Sequence, residues 1–440
     1  MNWHLPKEKD PYEQKNVDAE GLKALLQKTV KGEVRFDTGS RAIYATDASN
    51  WRHVPIGVVI PRDAEDVIAT LKACHKYGAP IVSRGGGTGL CGQTTNLAIV
   101  MDHSKYFTNI LEVNVKEKWA RVQPGVILDQ LRDKAEENHL TYGPDPATHT
   151  HCTLGGMIGN NSCGVHSIMA GKTVDNIITM DVVTYDGIRL TVGETTEEEL
   201  EKLCAKQDRV GEIYRAMRDI RDSSSASIKA RYPDIPRRVS GYNLDQLLPE
   251  NKFNVARALV GSEGTLITVL EAKVRLVHSP PARTLVVMGY PDVYEAGDHV
   301  PEVLATGPIG LEGMDDQLVG FMKKKGMYVN YLHLLPKGGG WLLVEFGGET
   351  KEESDAKAQK CIDAIKDKDN APNMVLYDNE DAEKELWDMR GSGLGATAHV
   401  PGMPYSWTGW EDAAIAPAKV GKYLRDFRAL LNKYKLIASL

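Results

Sequence analysis

RGGGTGLCGQ at residues 84–93 is the stretch on which the reading of this chain turns. Gly87, Gly89 and Gly92 stand in the GxGxxG spacing of a dinucleotide fingerprint. That fingerprint serves a nicotinamide cofactor when a helix opens inside the loop, with the phosphates at its N-terminus. The residues that follow, QTTNLAIVMDHS, read instead as a polar turn and then a strand, so the nicotinamide reading fails on context. What remains is four glycines in the five residues 85–89, directly after the short strand PIVS, which is more than one tight turn requires. Without side chains, successive peptide N–H groups can converge on a single anion, and a pyrophosphate suits such a nest.

Two further segments extend the pattern. GPDPATHTHCTLGGMIGNNSCG at 143–164 is a long loop without clear periodicity, and loops of that length in compact proteins tend to be functional. Its small residues allow close backbone approach to a flat ligand, while Thr153, Asn160, Asn161 and Ser162 offer uncharged hydrogen-bonding groups. GSEGTL at 261–266 lies between ARALV, read as a buried strand, and a long alternating strand. Glu263 can accept hydrogen bonds there, and Gly261 and Gly264 clear space around it. By itself this third segment is an ordinary hairpin turn.

The rest of the chain supplies the frame. An amphipathic helix carries Leu22, Leu25, Leu26 and Val30 on one face; VPIGVVIP then reads as a strand, and Asp63 caps AEDVIATLKACHKYG with Val67, Ile68, Leu71 and Cys74 inward. Beyond the linker SPPAR, TLVVMGYP, GLEGMD, WLLVEFGGE and NMVLYD are strands interleaved with helices, which predicts an α+β lobe with an antiparallel sheet. At 440 residues with 42% hydrophobic content, the chain is long enough for two or three cores. A net charge of −7 and no long basic run argue against nucleic acid and anionic membranes as partners. No leader pattern or bilayer-length apolar run is visible, so the expected location is the cytoplasm, or the inner face of a membrane as a peripheral protein. Six scattered cysteines without a CxxC pair suit reduced thiols and hold no iron–sulfur cluster.

RGGGTGLCGQ, PDPATHTHCTLGGMIGNNSCG, SGYNLDQLLPE and GSEGTL, in this order, resemble the FAD-linked oxidases of the vanillyl-alcohol oxidase superfamily, with its PCMH-type FAD-binding domain. The nearer resemblance is to the D-lactate, glycolate and D-2-hydroxyglutarate dehydrogenase group, and within it to the flavin portion of large bacterial enzymes that also carry iron–sulfur clusters. After the helical segment read over 1–50, it implies an FAD-binding domain of two α+β subdomains over 51–280 and a cap domain over 281–440. It also implies noncovalent FAD held by Arg84, Gly85, Gly86, Gly87, Thr88, Gly89, Leu90, Pro144, Thr153, Gly156, Asn161, Cys163, Gly164, Glu263 and Thr265. In WDMRGSGLGATAHVPGMPYSWTGWEDAAIAP, Arg390 falls on the family arginine that anchors a substrate carboxylate, with Trp410 and Glu411 as further pocket residues.

The family continues into an HxGxGxxH motif whose histidines bind a divalent metal and act as base, and this sequence stops at LIASL, itself read as strand-like. The resemblance therefore places the metal, and any iron–sulfur cluster, in a longer parent protein; no residue here is assigned to a metal. His149 and His151 read as satisfied loop histidines and His166 as standing alone. Three functional readings stay open. One is a dehydrogenase that oxidises a small D-2-hydroxy acid to a 2-oxo acid and passes electrons to an acceptor such as an iron–sulfur region. Another is an FAD-binding fragment without turnover, and the third is an NADPH-dependent reductase of the same fold. A homodimer is compatible with each.

Overall fold

The structure, a computed structural model, describes residues 17–368, 370–406 and 413–440. Its first sheet places β1 (Glu33–Arg35), β2 (Gly57–Ile60), β3 (Ile81–Arg84) and β4 (Ile99–Asp102) in the order β1-β2-β4-β3. The last three are parallel and β1 is antiparallel to β2. The helix Ala64–Tyr77 starts where the Asp63 carboxylate accepts the Asp66 N–H at 2.9 Å and stops at Gly78, whose φ of +63° suits a residue without Cβ. Its buried Val67 and Leu71 pack with Met101 of β4, while Cys74 packs with Val59 and Ile99 in a neighbouring core that Leu22 and Leu26 of the helix Ala19–Thr29 complete. The glycine run leaves β3 at its C-terminal end, beside the C-terminal end of β4. That edge of parallel strands is where α/β sheets bind ligands.

His103, one residue past β4, has a buried imidazole whose two nitrogens have no partner among the described residues. Burial holds its pKa down at about 4. Replacing it with leucine removes two unsatisfied polar atoms at nearly constant volume, and His103→Leu is expected to stabilise the apoprotein by about 1 kcal/mol. The wild-type neutral histidine contributes stability above its ordinary pKa of about 6.5 that is lost as pH falls toward 4, so the gain should grow on acidification. Urea unfolding of both proteins at two pH values checks this, and a less stable variant would contradict it.

The second sheet is wholly antiparallel. It comprises β5 (Ile110–Asn114) and β6 (Trp119–Val122), then, past the short β7 (Leu140–Thr141), β8 (Ile177–Val183), β9 (Arg189–Val192) and β10 (Thr268–Arg275), in the order β5-β6-β10-β8-β9. β7 pairs with β11 (Val277–His278). Two sequence expectations are corrected here. ARALV lies in a helix, Val255–Leu259, because the Asn254 side chain accepts the Arg257 N–H at 3.0 Å and caps it. The 143–164 loop contains the helix Leu154–Asn160, capped by Thr153 and ended by Asn161 at φ +56°.

The third sheet has the order β13-β14-β12-β15, from β12 (Ala282–Tyr290), β13 (Gly310–Asp315), β14 (Gly340–Gly348) and β15 (Asn373–Tyr377), and all its neighbours are antiparallel. The four expected strands and their antiparallel arrangement are therefore present. β14 is buried along its whole length, and alternate residues of the central pair enter two different cores. Leu285, Val287 and Leu343 pack with Leu318, Met322, Leu386 and Met389 on one face. Val286, Met288, Val344 and Phe346 pack with Ala296, Ala358 and Cys361 on the other. Helices thus cover both faces of this lobe. LIASL is not a strand: Ser439 Oγ and the Leu440 N–H instead donate to the Asp315 carboxylate at 2.9 and 2.8 Å.

Candidate functional site

The three glycine-bearing loops come together. Gly85 and Gly86 lie against the second loop so tightly that a Cβ on Gly85 would stand 2.0 Å from Thr153 Oγ1, and one on Gly86 2.3 Å from the His151 carbonyl oxygen. Arg84 braces this loop from beneath. Its Nη1 donates to the Thr46 carbonyl at 2.8 Å, its guanidinium lies 5.4 Å from the Tyr44 ring centre, and Gly87, at φ +65°, passes directly over it. Gly87 accepts the Ala48 N–H at 3.0 Å. The peptide N–H groups from Gly85 through Leu90, Thr88 and Gly89 among them, have no hydrogen-bond partner among the described residues. A run of donors left open at the end of a parallel sheet has the chemistry of an anion site.

The second loop meets the third at its other end. The Gly261 N–H donates to Ile158 O and the Glu263 N–H to Gly159 O, both at 2.9 Å. Tyr242 and Asn243, from the SGYNL segment, join through the Tyr242 hydroxyl on Thr265 Oγ1 at 2.9 Å and Asn243 Nδ2 on Val260 O at 2.8 Å. Around this seam an added Cβ at Gly159, Gly241 or Gly264 would meet nothing within 4 Å. These glycines border open space, whereas Gly164 is packed: a Cβ there would be 2.2 Å from the Asp145 backbone. Asn161 is buried; its Oδ1 accepts the Val174 N–H at 3.0 Å, and its Nδ2 has no partner among the described residues. Pro144 is buried, Cys163 half-buried and Gly156 exposed.

A buried ionic group that the sequence reading missed ties this region to the cap sheet. His166 Nδ1 lies 2.5 Å from Asp145 Oδ2, and Nε2 lies 2.7 Å from Glu345 Oε2. The His166 backbone N–H also donates to Asp145 Oδ1 at 2.9 Å. Glu345 Oε2 further accepts Arg283 Nη1 at 3.2 Å, and Oε1 accepts Trp387 Nε1 at 2.9 Å. His166 therefore does not stand alone. Burial opposes its charge, but hydrogen bonds to Asp145 and Glu345 outweigh that and raise its pKa to about 9. For Glu345, burial alone would raise the pKa, and His166 and Arg283 together hold it well below the usual carboxylate range. The sequence signal was a single acidic residue inside the apolar run WLLVEFGG.

Arg390 ends the helix Glu380–Gly391 and is held on β13, with Nη2 2.7 Å from Glu312 Oε2 and Nε donating to the Gly313 carbonyl at 2.8 Å. The same strand touches the second loop: a Cβ on Gly310 would be 2.9 Å from Val165 and 3.5 Å from His166 Nε2. Trp410 and Glu411 lie outside the described residues. His149 is satisfied by Asp129 at 2.7 Å and His151 by Thr150 at 2.6 Å. Among the described residues no helix is long and apolar enough to cross a membrane.

Residues 55–193 match the model of an FAD-binding domain, and residues 279–440 match that of the C-terminal domain of FAD-linked oxidases. The chain is 32% identical over 428 residues to a D-2-hydroxyglutarate dehydrogenase of Pseudomonas putida, covering 95% of this chain and 42% of that protein. It is 30% identical over 307 residues to the glycolate oxidase subunit GlcD of Escherichia coli, covering 68% of this chain and 51% of that one. It thus spans about half the length of these relatives, or less. Among solved structures, an alkyldihydroxyacetonephosphate synthase shares the fold, with a TM-score of 0.64 at 17% identity over 94% of this chain and 75% of that one. FAD fits the residues present: an open run of N–H donors for a pyrophosphate, glycines bordering free space for a flat ring, and an unpartnered amide on Asn161. With the two domain models matched in order over more than half of its length, the chain belongs to the FAD-linked oxidases and dehydrogenases.

Proposed function

We propose that this chain is the FAD-binding and cap portion of a dehydrogenase that oxidises a small D-2-hydroxy acid to its 2-oxo acid. The observation that carries the reading is the run of unpartnered N–H groups at Gly85–Leu90, braced by Arg84 and lying on Thr153 of the second loop. In it, Arg84 through Leu90 enclose the pyrophosphate; Pro144, Thr153, Gly156, Asn161, Cys163 and Gly164 flank the flavin; and Glu263 and Thr265 border it. These assignments divide the chain into a helical segment to residue 50, an FAD-binding part over 51–280 and a cap over 281–440. FAD, when bound, supplies the acceptor for the hydride of the substrate Cα.

The part played by the chain itself is orientation. Arg390 receives the substrate carboxylate in this reading, because a guanidinium presents a rigid fork of donors to both oxygens. Its Nε and Nη2 are fixed by Gly313 and Glu312, so the group is aimed before the substrate arrives. Trp410 and Glu411 belong to the same pocket in this proposal. An electron acceptor receives the reducing equivalents, and homodimerisation is compatible with the fold. A cytoplasmic setting is supported by six cysteines that form no disulfide among the described residues.

Anaerobic addition of D-2-hydroxyglutarate, D-lactate or glycolate to the FAD-loaded full-length protein, carrying the family's HxGxGxxH motif, tests the reading. Bleaching of the visible flavin absorbance by at least one of them is expected. Bleaching by NADPH and by no 2-hydroxy acid would overturn it in favour of a reductase, and binding of a hydroxy acid without bleaching would mark a binding module.

A further inference from the structure

We propose that His166 is a positioning residue: as an imidazolium clasped between Asp145 and Glu345, it sets the helix bearing Arg390 against the flavin-side loop. The protonation state follows from geometry. Each ring nitrogen faces a carboxylate oxygen, at 2.5 and 2.7 Å, and an ionised carboxylate accepts only, so both nitrogens must donate. Arg283 at 3.2 Å keeps Glu345 ionised, and the two cations and two carboxylates balance in a group whose His166, Asp145 and Glu345 are almost fully buried while Arg283 is partly exposed.

The clasp spans two parts of the molecule. Asp145 and His166 flank the second loop at its start and end, whereas Glu345 and Arg283 come from β14 and β12 of the cap sheet. Glu345 uses its other oxygen for Trp387 Nε1, and Trp387 lies one helical turn before Arg390 on the same side of the helix. A second route runs in parallel, from His166 against Gly310 along β13 to Glu312 and Gly313, which hold the Arg390 guanidinium. The position of Arg390 relative to the second loop is thereby fixed from both ends of its helix turn. His166 touches neither the substrate nor the reacting atoms in this role; it acts through Arg390.

The proposal rests on the reading of Arg390 as the carboxylate anchor, and the test separates the two. The full chain, loaded with oxidised FAD, is titrated with oxalate, an unreactive dicarboxylate analogue of a 2-hydroxy acid, and followed by its visible spectrum. H166Q and R390A are each expected to weaken oxalate about tenfold or more, since displacing a positioned fork by an ångström has effects of that size. The double variant should bind no worse than R390A, and the FAD affinity should stay within about threefold in H166Q, because coupled residues are not additive. In the wild type, the ¹⁵N signals of the His166 ring should report both nitrogens protonated at neutral pH. If H166Q folds poorly, W387F removes the indole N–H, together with part of the ring, and should weaken oxalate in the same non-additive way. Unchanged oxalate affinity in H166Q and W387F beside a loss in R390A would overturn the positioning role alone, as would a full additional loss in the double variant. A wild-type chain that binds neither oxalate nor any 2-hydroxy acid would overturn the anchor reading and the positioning role with it.

Discussion

Gly86→Ala is expected to weaken FAD binding between about tenfold and a hundredfold, the range of one to three kcal/mol that overpacking imposes. The added Cβ would stand 2.3 Å from the His151 carbonyl oxygen and 3.1 Å from its carbon, and backbone cannot turn aside as a flexible side chain does. Either the first loop lifts away from Thr153 or the second loop shifts. Both outcomes disturb the line of N–H donors that the proposed pyrophosphate would meet. Fluorescence titration of the apoprotein with FAD measures the effect. Gly320→Ala is the control: its Cβ meets nothing within 4 Å, and it lies inside the helix Asp316–Lys325, where alanine is the better residue. It should leave FAD affinity unchanged and raise stability slightly. A Gly86→Ala protein with wild-type affinity would contradict the contact between the loops.

Glu345→Ala should be the most destabilising single change in the cap, with a loss of about 3–5 kcal/mol, because one partner of a buried ion pair is removed and the others stay uncompensated. The groups left facing one another are the His166 imidazolium and the Arg283 guanidinium, with the Trp387 N–H lacking its acceptor. Lys351 and Glu383 lie alongside, joined at 3.4 Å, and Glu383, raised to about 7 by burial, does not replace the missing carboxylate at neutral pH in full. The pH dependence carries a separate signature. His166 has a folded pKa raised from 6.5 to about 9, so its contribution is fully present below about 6.5 and is lost as pH rises through 9. Wild-type stability should therefore decline across that window by an amount on the order of 3 kcal/mol, and Glu345→Ala should flatten the slope. Urea unfolding at a series of pH values provides both numbers. An alanine variant that loses less than about 1 kcal/mol would show that the group is not coupled as described.

Much of the fold and the site was legible in the sequence because the residues involved have few other uses. Four glycines in five residues make little structural sense outside a backbone nest, and the strand that follows them is incompatible with the nicotinamide geometry, which needs a helix there. TLVVMGY and WLLVEFGG are long and apolar enough to read as strands, and the structure makes them the central pair of the cap sheet with helices on both faces. Short segments were less clear. ARALV is five residues, too few to separate a period of 2 from one of 3.6, and Asn254 as its cap decided for helix. The glycines of LGGMIGN hid a helix because they are poor helix formers, and the Thr153 cap and the left-handed Asn161 hold it in place. LIASL has the composition of a strand but finds no edge to join. The ionic group was the hardest to see. Asp145, His166, Arg283 and Glu345 are scattered over two hundred positions; the register of β12 with β14, which sets Arg283 opposite Gly347 and Leu285 opposite Glu345, brings two of them together, and the approach of His166 to Glu345 adds the others.

The central claim is that the three loops form one FAD site. Equilibrium titration of the apoprotein with FAD, followed by flavin fluorescence and by hydrogen exchange of residues 84–90, 143–164 and 261–266, tests it most directly. One FAD per chain is predicted, with slowed exchange in all three segments together, most of all at the Gly85–Leu90 amides that have no partner within the described chain. No saturable FAD binding, or binding that protects amides elsewhere and leaves Gly85–Leu90 unchanged, would contradict it.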